Sequence, residues 1–261
     1  MAKPKGKRLA IVNQKGGTGK TTVSVNLSVG LARRKFKTLL IDLDPQHNST
    51  LSLGVDTLTL PLSTYDVLLR ETTLKETLIN TPISNLTLAP ANVELSNAGI
   101  NLASEPRYQS RLKESLNPLV SNYDYILIDC PPSLGVLTVN ALVAANNVII
   151  PILCDYLSLE GLKQLIISIE TVQKGLNPYL KILGILPNMV DFRLNITKES
   201  LTLVKTRFKE LVFKNVIRTC VRVKEAPSFG KSIFDYAPHS RGAKEYTKLV
   251  TEVIRRAKNE L

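Results

Sequence analysis

The 261-residue sequence has no run of eighteen or more apolar residues, so no segment is long enough to cross a bilayer as a helix. Its opening stretch, MAKPKGKRLAIVN, places basic residues before an apolar stretch too short for a secretion signal. Cysteine is scarce: Cys130, Cys154 and Cys220 are odd in number, far apart and without a C-x-x-C pair. That pattern argues against a disulfide framework or a cysteine zinc site and suits reduced, buried thiols, so a cytosolic location is expected. Internal repeats and low-complexity tracts are also missing. With 44% hydrophobic residues, the chain can bury a sizeable core, and one α/β domain over residues 1–261 is expected.

Charge is present in excess and unevenly placed. The formal net charge is +12; residues 1–60 contribute +7, residues 61–180 contribute −4 and residues 181–261 contribute +9. Between Arg193 and Lys224 stand nine basic residues and two acidic ones, Glu199 and Glu210. Either a polyanion-binding face or a solvated basic surface produces such asymmetry. Few aromatics interleave these cations, a pattern that favours phosphate contacts on duplex nucleic acid over stacking on single-stranded bases.

Apolar runs at 8–13, 38–44, 86–91, 125–130, 147–152 and 181–189 read as strands. Their near-continuous hydrophobicity predicts an α/β fold with a mostly parallel central sheet flanked by helices on both faces. After the first strand, Val23, Leu27 and Leu31 recur four apart, which predicts a crossover helix with one sheet-facing stripe. TLTLPLST, 57–64, reads as a surface loop.

At the first strand-to-helix turn lies NQKGGTGKTT, Asn13 to Thr22. It fits the phosphate-loop pattern G-x-x-x-x-G-K-S/T except that Gln14 stands at the first glycine. Gly16, Gly17, Thr18 and Gly19 form a loop whose backbone N–H groups can cradle phosphates, with the start of the helix behind them. Lys20 is placed to neutralise the β and γ phosphates, Thr21 to ligate Mg²⁺ and Thr22 to reach the α phosphate. Asp42 and Asp44 end one apolar strand and Asp129 another. A spacing of two predicts that Asp42 and Asp44 share a side of their strand. At the carboxyl edge of a parallel sheet, such carboxylates organise a metal ion and an attacking water, or simply cap a turn.

KGGTGKTT, LLIDLDPQHNSTLSLG, YDYILIDCPPSLGVLTVNAL, LEGL and EAPSFGKSI, in this order, closely resemble the ParA/Soj family of DNA-partitioning ATPases, relatives of MinD, across essentially the whole chain. The resemblance implies a cytoplasmic, nucleoid-associated ATPase that forms a homodimer with ATP and Mg²⁺. It also implies nonspecific double-stranded DNA as a partner, no membrane, and release when a ParB-like partner stimulates hydrolysis. By the same resemblance, Lys15 reaches across the nucleotide sandwich to the other subunit's phosphates and acts with Lys20 and Asp44 in catalysis. Asp44 then orients the hydrolytic water, and Asp42 and Asp129 support Mg²⁺ through waters. Arg193 and Arg222 match DNA-binding positions, with Arg218 and Lys224 in the same basic run.

One segment departs from the family. Where IPRNVRL is common, this chain has IRTCVRV, so the proline and asparagine that contact adenine are replaced by Arg218 and Cys220. Backbone groups of Arg218 and Cys220, or Asn188, remain as contacts to the base. A MinD-like membrane switch is an alternative that would use the stripe Tyr246, Leu249, Val250, Val253 and Ile254 as a membrane-seeking helix face. A ParA-like ATPase positioning a protein cargo is another. An iron–sulfur reductase of the nitrogenase type is disfavoured, because no cysteine precedes Cys130. With the first strand near Arg8, no N-terminal helix-turn-helix is expected.

Overall fold

Leu9 and Ile11 face one side of the first strand, Ala10 and, just past its end, Val12 the other, and each pair is wholly buried in a different apolar cluster. This alternation is what a strand covered on both faces requires. The computed structural model describes residues 5–102 and 105–258; the ends and the two-residue gap of the expected domain lie outside the described residues. Seven strands form one sheet: β1 (Lys7–Ile11), β2 (Thr38–Asp42), β3 (Ile79–Asn80), β4 (Leu86–Ala89), β5 (Tyr125–Asp129), β6 (Asn147–Ile152) and β7 (Lys181–Pro187), in the order β3-β4-β2-β5-β1-β6-β7. Pairing is parallel throughout except for β3 with β4.

The helices are α1 (Lys20–Arg33), α2 (Asn48–Ser52), α3 (Thr64–Leu69), α4 (Ala98–Leu102), α5 (Arg111–Leu116), α6 (Val136–Ala144), α7 (Tyr156–Gly175), α8 (Asn195–Phe208), α9 (Val221–Glu225), α10 (Ile233–Tyr236) and α11 (Arg241–Lys258). The cluster containing Ala10 draws on α3 to α8, whereas the cluster containing Leu9 draws on α1, α9, α10 and α11.

All six expected strands are present, with corrections at their ends. β1 stops at Ile11, and β2 stops at Asp42, so Asp44 sits in the turn beyond the strand rather than on the same strand side as Asp42. β3 was not expected: two residues are too few to show a pattern, and β4 defines its pairing. α1 is buried almost all round, not on one stripe, because α11 covers the face turned away from the sheet. Gly30 leaves room for that cover, since a side chain there would meet Val250 of α11 and Phe234 of α10. Residues 57–62 lie at the surface as expected, with Leu58 94% exposed, but Ser63 and Thr64 are buried, because Ser63 caps α3 and Thr64 begins it.

The apolar stripe of α11 belongs to the core. Tyr246, Leu249, Val250 and Val253 are buried in the same cluster as α1, which removes them as a membrane-seeking face. Among the described residues, no helix is long and apolar enough to cross a membrane.

Candidate active site

Because β1 lies between β5 and β6 while the chain leaves it toward β2, the carboxyl ends of β1, β2 and β5 meet at one edge of the sheet. Asp42 pairs in register with Asp129 there, and Ile11, next to the glycine-rich loop, pairs with Asp129 as well. The loop is held from beneath. Asn13 Nδ2 donates to the Pro151 carbonyl at 2.7 Å, and its Oδ1 accepts from Lys15 N at 2.9 Å. Gly19 adopts φ 83°, and a Cβ there would lie 2.3 Å from Asn188 Nδ2. Only glycine fits that approach. Asn188, 1% exposed at the end of β7, donates Nδ2 to the Thr18 carbonyl at 2.7 Å. The residue expected to hold a base therefore also pins the loop.

Lys20 is buried, and its Nζ donates only weakly, at 3.5 Å, to the Lys15 carbonyl. Burial lowers its pKa, while Asp129 and Asp44 work in the opposite direction. Lys15 points elsewhere. Its Nζ lies 3.1 and 2.9 Å from the two Asp155 carboxylate oxygens and 3.2 Å from Ser158 Oγ, each partner being in its own chain. Asp155 is also the N-cap of α7, accepting from Ser158 N at 2.8 Å. No local sequence signal joins Lys15 to a residue 140 positions away.

The three aspartates differ in their surroundings. Asp42 is fully buried: Oδ1 accepts from Asp44 N at 3.1 Å, and Oδ2 accepts from Thr50 N at 2.9 Å and Thr50 Oγ1 at 2.8 Å. Burial, reinforced by Asp129, pushes its pKa up to about 8. Asp129 accepts from Ser24 Oγ at 2.8 Å and Ser49 Oγ at 2.7 Å, and Thr21 hydrogen-bonds it too. Burial raises it to about 6. Asp44, 6% exposed, uses Oδ1 to accept from Gln46 N at 3.0 Å. Asp42 and Asp129 thus anchor α2, through Thr50 and Ser49, to the sheet edge. Among the described residues, no group of three His, Cys, Asp or Glu side chains is placed to hold a metal ion. Cys130 and Cys154 are buried, and burial pushes both thiols up.

The basic segment is less uniform than its sequence. Arg193, Arg222 and Lys224 are exposed; Arg193 pairs with Asp191, whose carboxyl those hydrogen bonds hold down at about 2, and Arg222 pairs with Glu225. Arg218 does not stand free. Its guanidinium pairs with the buried Glu245, and its N–H donates to Glu245 Oε2 at 2.9 Å, which corrects the expectation that this N–H is available to a base. Thr219 is held by Met189 and Val190, and Cys220 is the N-cap residue of α9. A groove of about 510 Å³ runs here, between Val190, Phe192, Arg193, Arg218, Thr219 and Arg241.

Comparison with known proteins places this geometry. The family described as AAA domain matches residues 6–182. The sporulation initiation inhibitor protein Soj of Bacillus subtilis is 46% identical over 95% of this chain and 98% of its own length. The chromosome partitioning protein ParA of Myxococcus xanthus is 43% identical over 96% of this chain and 89% of its own. A solved structure of cobyrinic acid a,c-diamide synthase from Mycobacterium smegmatis, with bound ATP analogue and magnesium, superposes with a TM-score of 0.85 at 36% identity, covering 98% of this chain and 97% of that one.

Proposed function

Because the chain belongs to the ParA/Soj family of partition ATPases, we propose that it is an ATP-switched partition motor that pairs into a homodimer, coats duplex DNA without sequence preference and lets go after hydrolysis. The observation that carries the reading is the meeting of a glycine-rich loop, a buried and weakly engaged Lys20, and the Asp42–Asp129 pair at one sheet edge. The site suits Mg·ATP: Gly16 and Gly17 face open space, where a Cβ would meet no atom within 4 Å. Mg·ATP, when bound, supplies the scissile phosphoanhydride and a charge that tightens the site.

The chain's own groups do the rest. Loop N–H groups and Lys20 bind phosphate oxygens, and Thr21 offers its hydroxyl to the metal with Asp129 behind it. Asp44 orients the attacking water from the turn after β2. Lys15, with Asp155 left behind, reaches the partner's phosphates and makes dimerisation depend on ATP. Asn188, with carbonyls of the 218–220 segment, faces the base. Arg193, Arg222 and Lys224, with Arg218 contributing residual charge beside Glu245, form the DNA face. Residues 1–261 act as one ATPase unit in the cytoplasm on the nucleoid, and a ParB-like partner stimulates release.

A salt titration of ATP-loaded protein on two unrelated duplexes tests the DNA assignment. Each phosphate contact contributes a slope of roughly −0.9 to log affinity against log salt, so Arg193→Glu or Arg222→Glu should flatten the dimer's slope by about 1.8 on both duplexes. An unchanged slope and affinity in both variants would place the DNA face elsewhere, and a loss confined to one duplex would indicate base readout.

A further inference from the structure

The short helix α2 stands between the two sites of this reading. One side of it is tied to the acidic edge, through Ser49 Oγ to Asp129 and Thr50 N and Oγ1 to Asp42. The turn that follows ends at Gly54, φ +77°, which meets Gly230, φ +60°. A Cβ on Gly230 would lie 2.8 Å from Gly54 Cα and 3.2 Å from Gly54 N. Two backbones therefore touch with no side chain between them.

Gly230 closes the single 3-10 turn Ala226–Phe229, which continues directly from α9 with Arg222 and Lys224. Gly230 N donates to the Pro227 carbonyl at 2.9 Å and Lys231 N to the Ala226 carbonyl at 3.2 Å. Glu225, in the same segment, accepts from Arg222 Nη1 and from Tyr236 Oη, each at 3.0 Å, and Tyr236 stacks on Phe229 with ring centroids 5.0 Å apart. From Gly230 back to Arg222 the segment is thus braced as one piece.

We propose that the Gly54–Gly230 contact couples the phosphate site to the DNA face within each subunit, so that the arrangement of Asp42 and Asp129 sets where Arg222 and Lys224 stand. A rearrangement of those carboxylates passes to Ser49 and Thr50 and then to the turn at Gly54. A backbone-on-backbone contact has no rotamer with which to absorb the shift. The inference rests on the partition-motor reading, and neither glycine belongs to the binding or catalytic groups.

The two glycines provide a matched test. Gly230→Ala forces a Cβ into Gly54, whereas Gly54→Ala also strains a positive φ but finds its nearest neighbour, the Gly230 carbonyl oxygen, at an ordinary 3.5 Å. Duplex affinity is measured with ATP and with ADP for the wild type and both variants, with ATP-dependent dimerisation followed by sedimentation. A wild-type ratio in the usual coupling range, about 5- to 150-fold, should fall toward one in Gly230→Ala and persist in Gly54→Ala, with dimerisation kept in both. A wild-type ratio of one defeats the partition-motor reading itself. A wild-type ratio retained in Gly230→Ala, or its loss together with dimerisation, overturns the coupling alone. Should Gly230→Ala fail to fold, deuterium uptake over residues 226–231 of the wild type decides: a difference between ADP and ATP states supports the coupling, and identical uptake overturns it.

Discussion

Replacing Asp155 with Asn should make ATP-dependent dimerisation easier. Lys15 is held by Asp155 of its own chain, so a lysine that serves the partner's phosphates must first leave that carboxylate. Asn is as good an N-cap as Asp, so the start of α7 keeps its bond to Ser158 N while the charge is removed. Both side chains are 39% exposed, which places the pair among solvent-screened ion pairs of about 0.2–1 kcal/mol rather than among buried ones. Removing that cost shifts the equilibrium by about 1.4- to 5-fold per subunit, and by the square, about 2- to 30-fold, for a dimer that uses two lysines. Sedimentation velocity across an ATP titration reads the midpoint, and far-UV circular dichroism checks that the helices are intact. An intact Asp155→Asn protein that dimerises at the wild-type midpoint, or less readily, refutes the reasoning.

Lys20→Ala should abolish ATP binding, whereas Lys15→Ala should bind ATP measurably but dimerise poorly; equal nucleotide affinity and normal dimerisation in both would sink the sandwich arrangement. Asp44→Ala should hydrolyse slowly while still binding ATP, leaving the dimer trapped on DNA, and retained partner-stimulated turnover would contradict its role. The nucleotide-free protein should lose stability as pH rises from about 4 to about 8, since the folded state holds protons on Asp42, and to a lesser extent Asp129, that the unfolded state releases. Asp42→Asn should flatten that slope in thermal melts, and an undiminished slope would assign the dependence to other groups.

The phosphate loop and the strand-end aspartates were legible in the sequence because their chemistry is local: glycines, a lysine and a threonine within ten residues, and apolar runs ending in Asp. What holds them was not legible. Asn188 reaches Thr18 across 170 positions, and Thr50 and Ser49 carry no mark in the sequence of the carboxylates they bind. The Val23, Leu27 and Leu31 stripe identified α1 correctly but understated its burial, because a helix pattern cannot say that a second helix covers the outer face. The basic run from Arg193 to Lys224 read as one patch, yet Glu245, more than twenty residues further on, compensates Arg218.

Glu245 and Glu252 stand seven residues apart on α11, and both face inward. Glu252 accepts from the backbone N–H groups of Lys214 and Asn215, and Glu245 from that of Arg218. The segment leading to the basic face is therefore laced to the last described helix, which also lies on α1, the first. On a ribosome the sheet strands emerge before α11, so a nascent chain can pair its strands while α1 remains uncovered and the 214–218 segment unlaced. The 214–218 segment and the outer face of α1 are then completed together, when α11 folds back onto the first described helix.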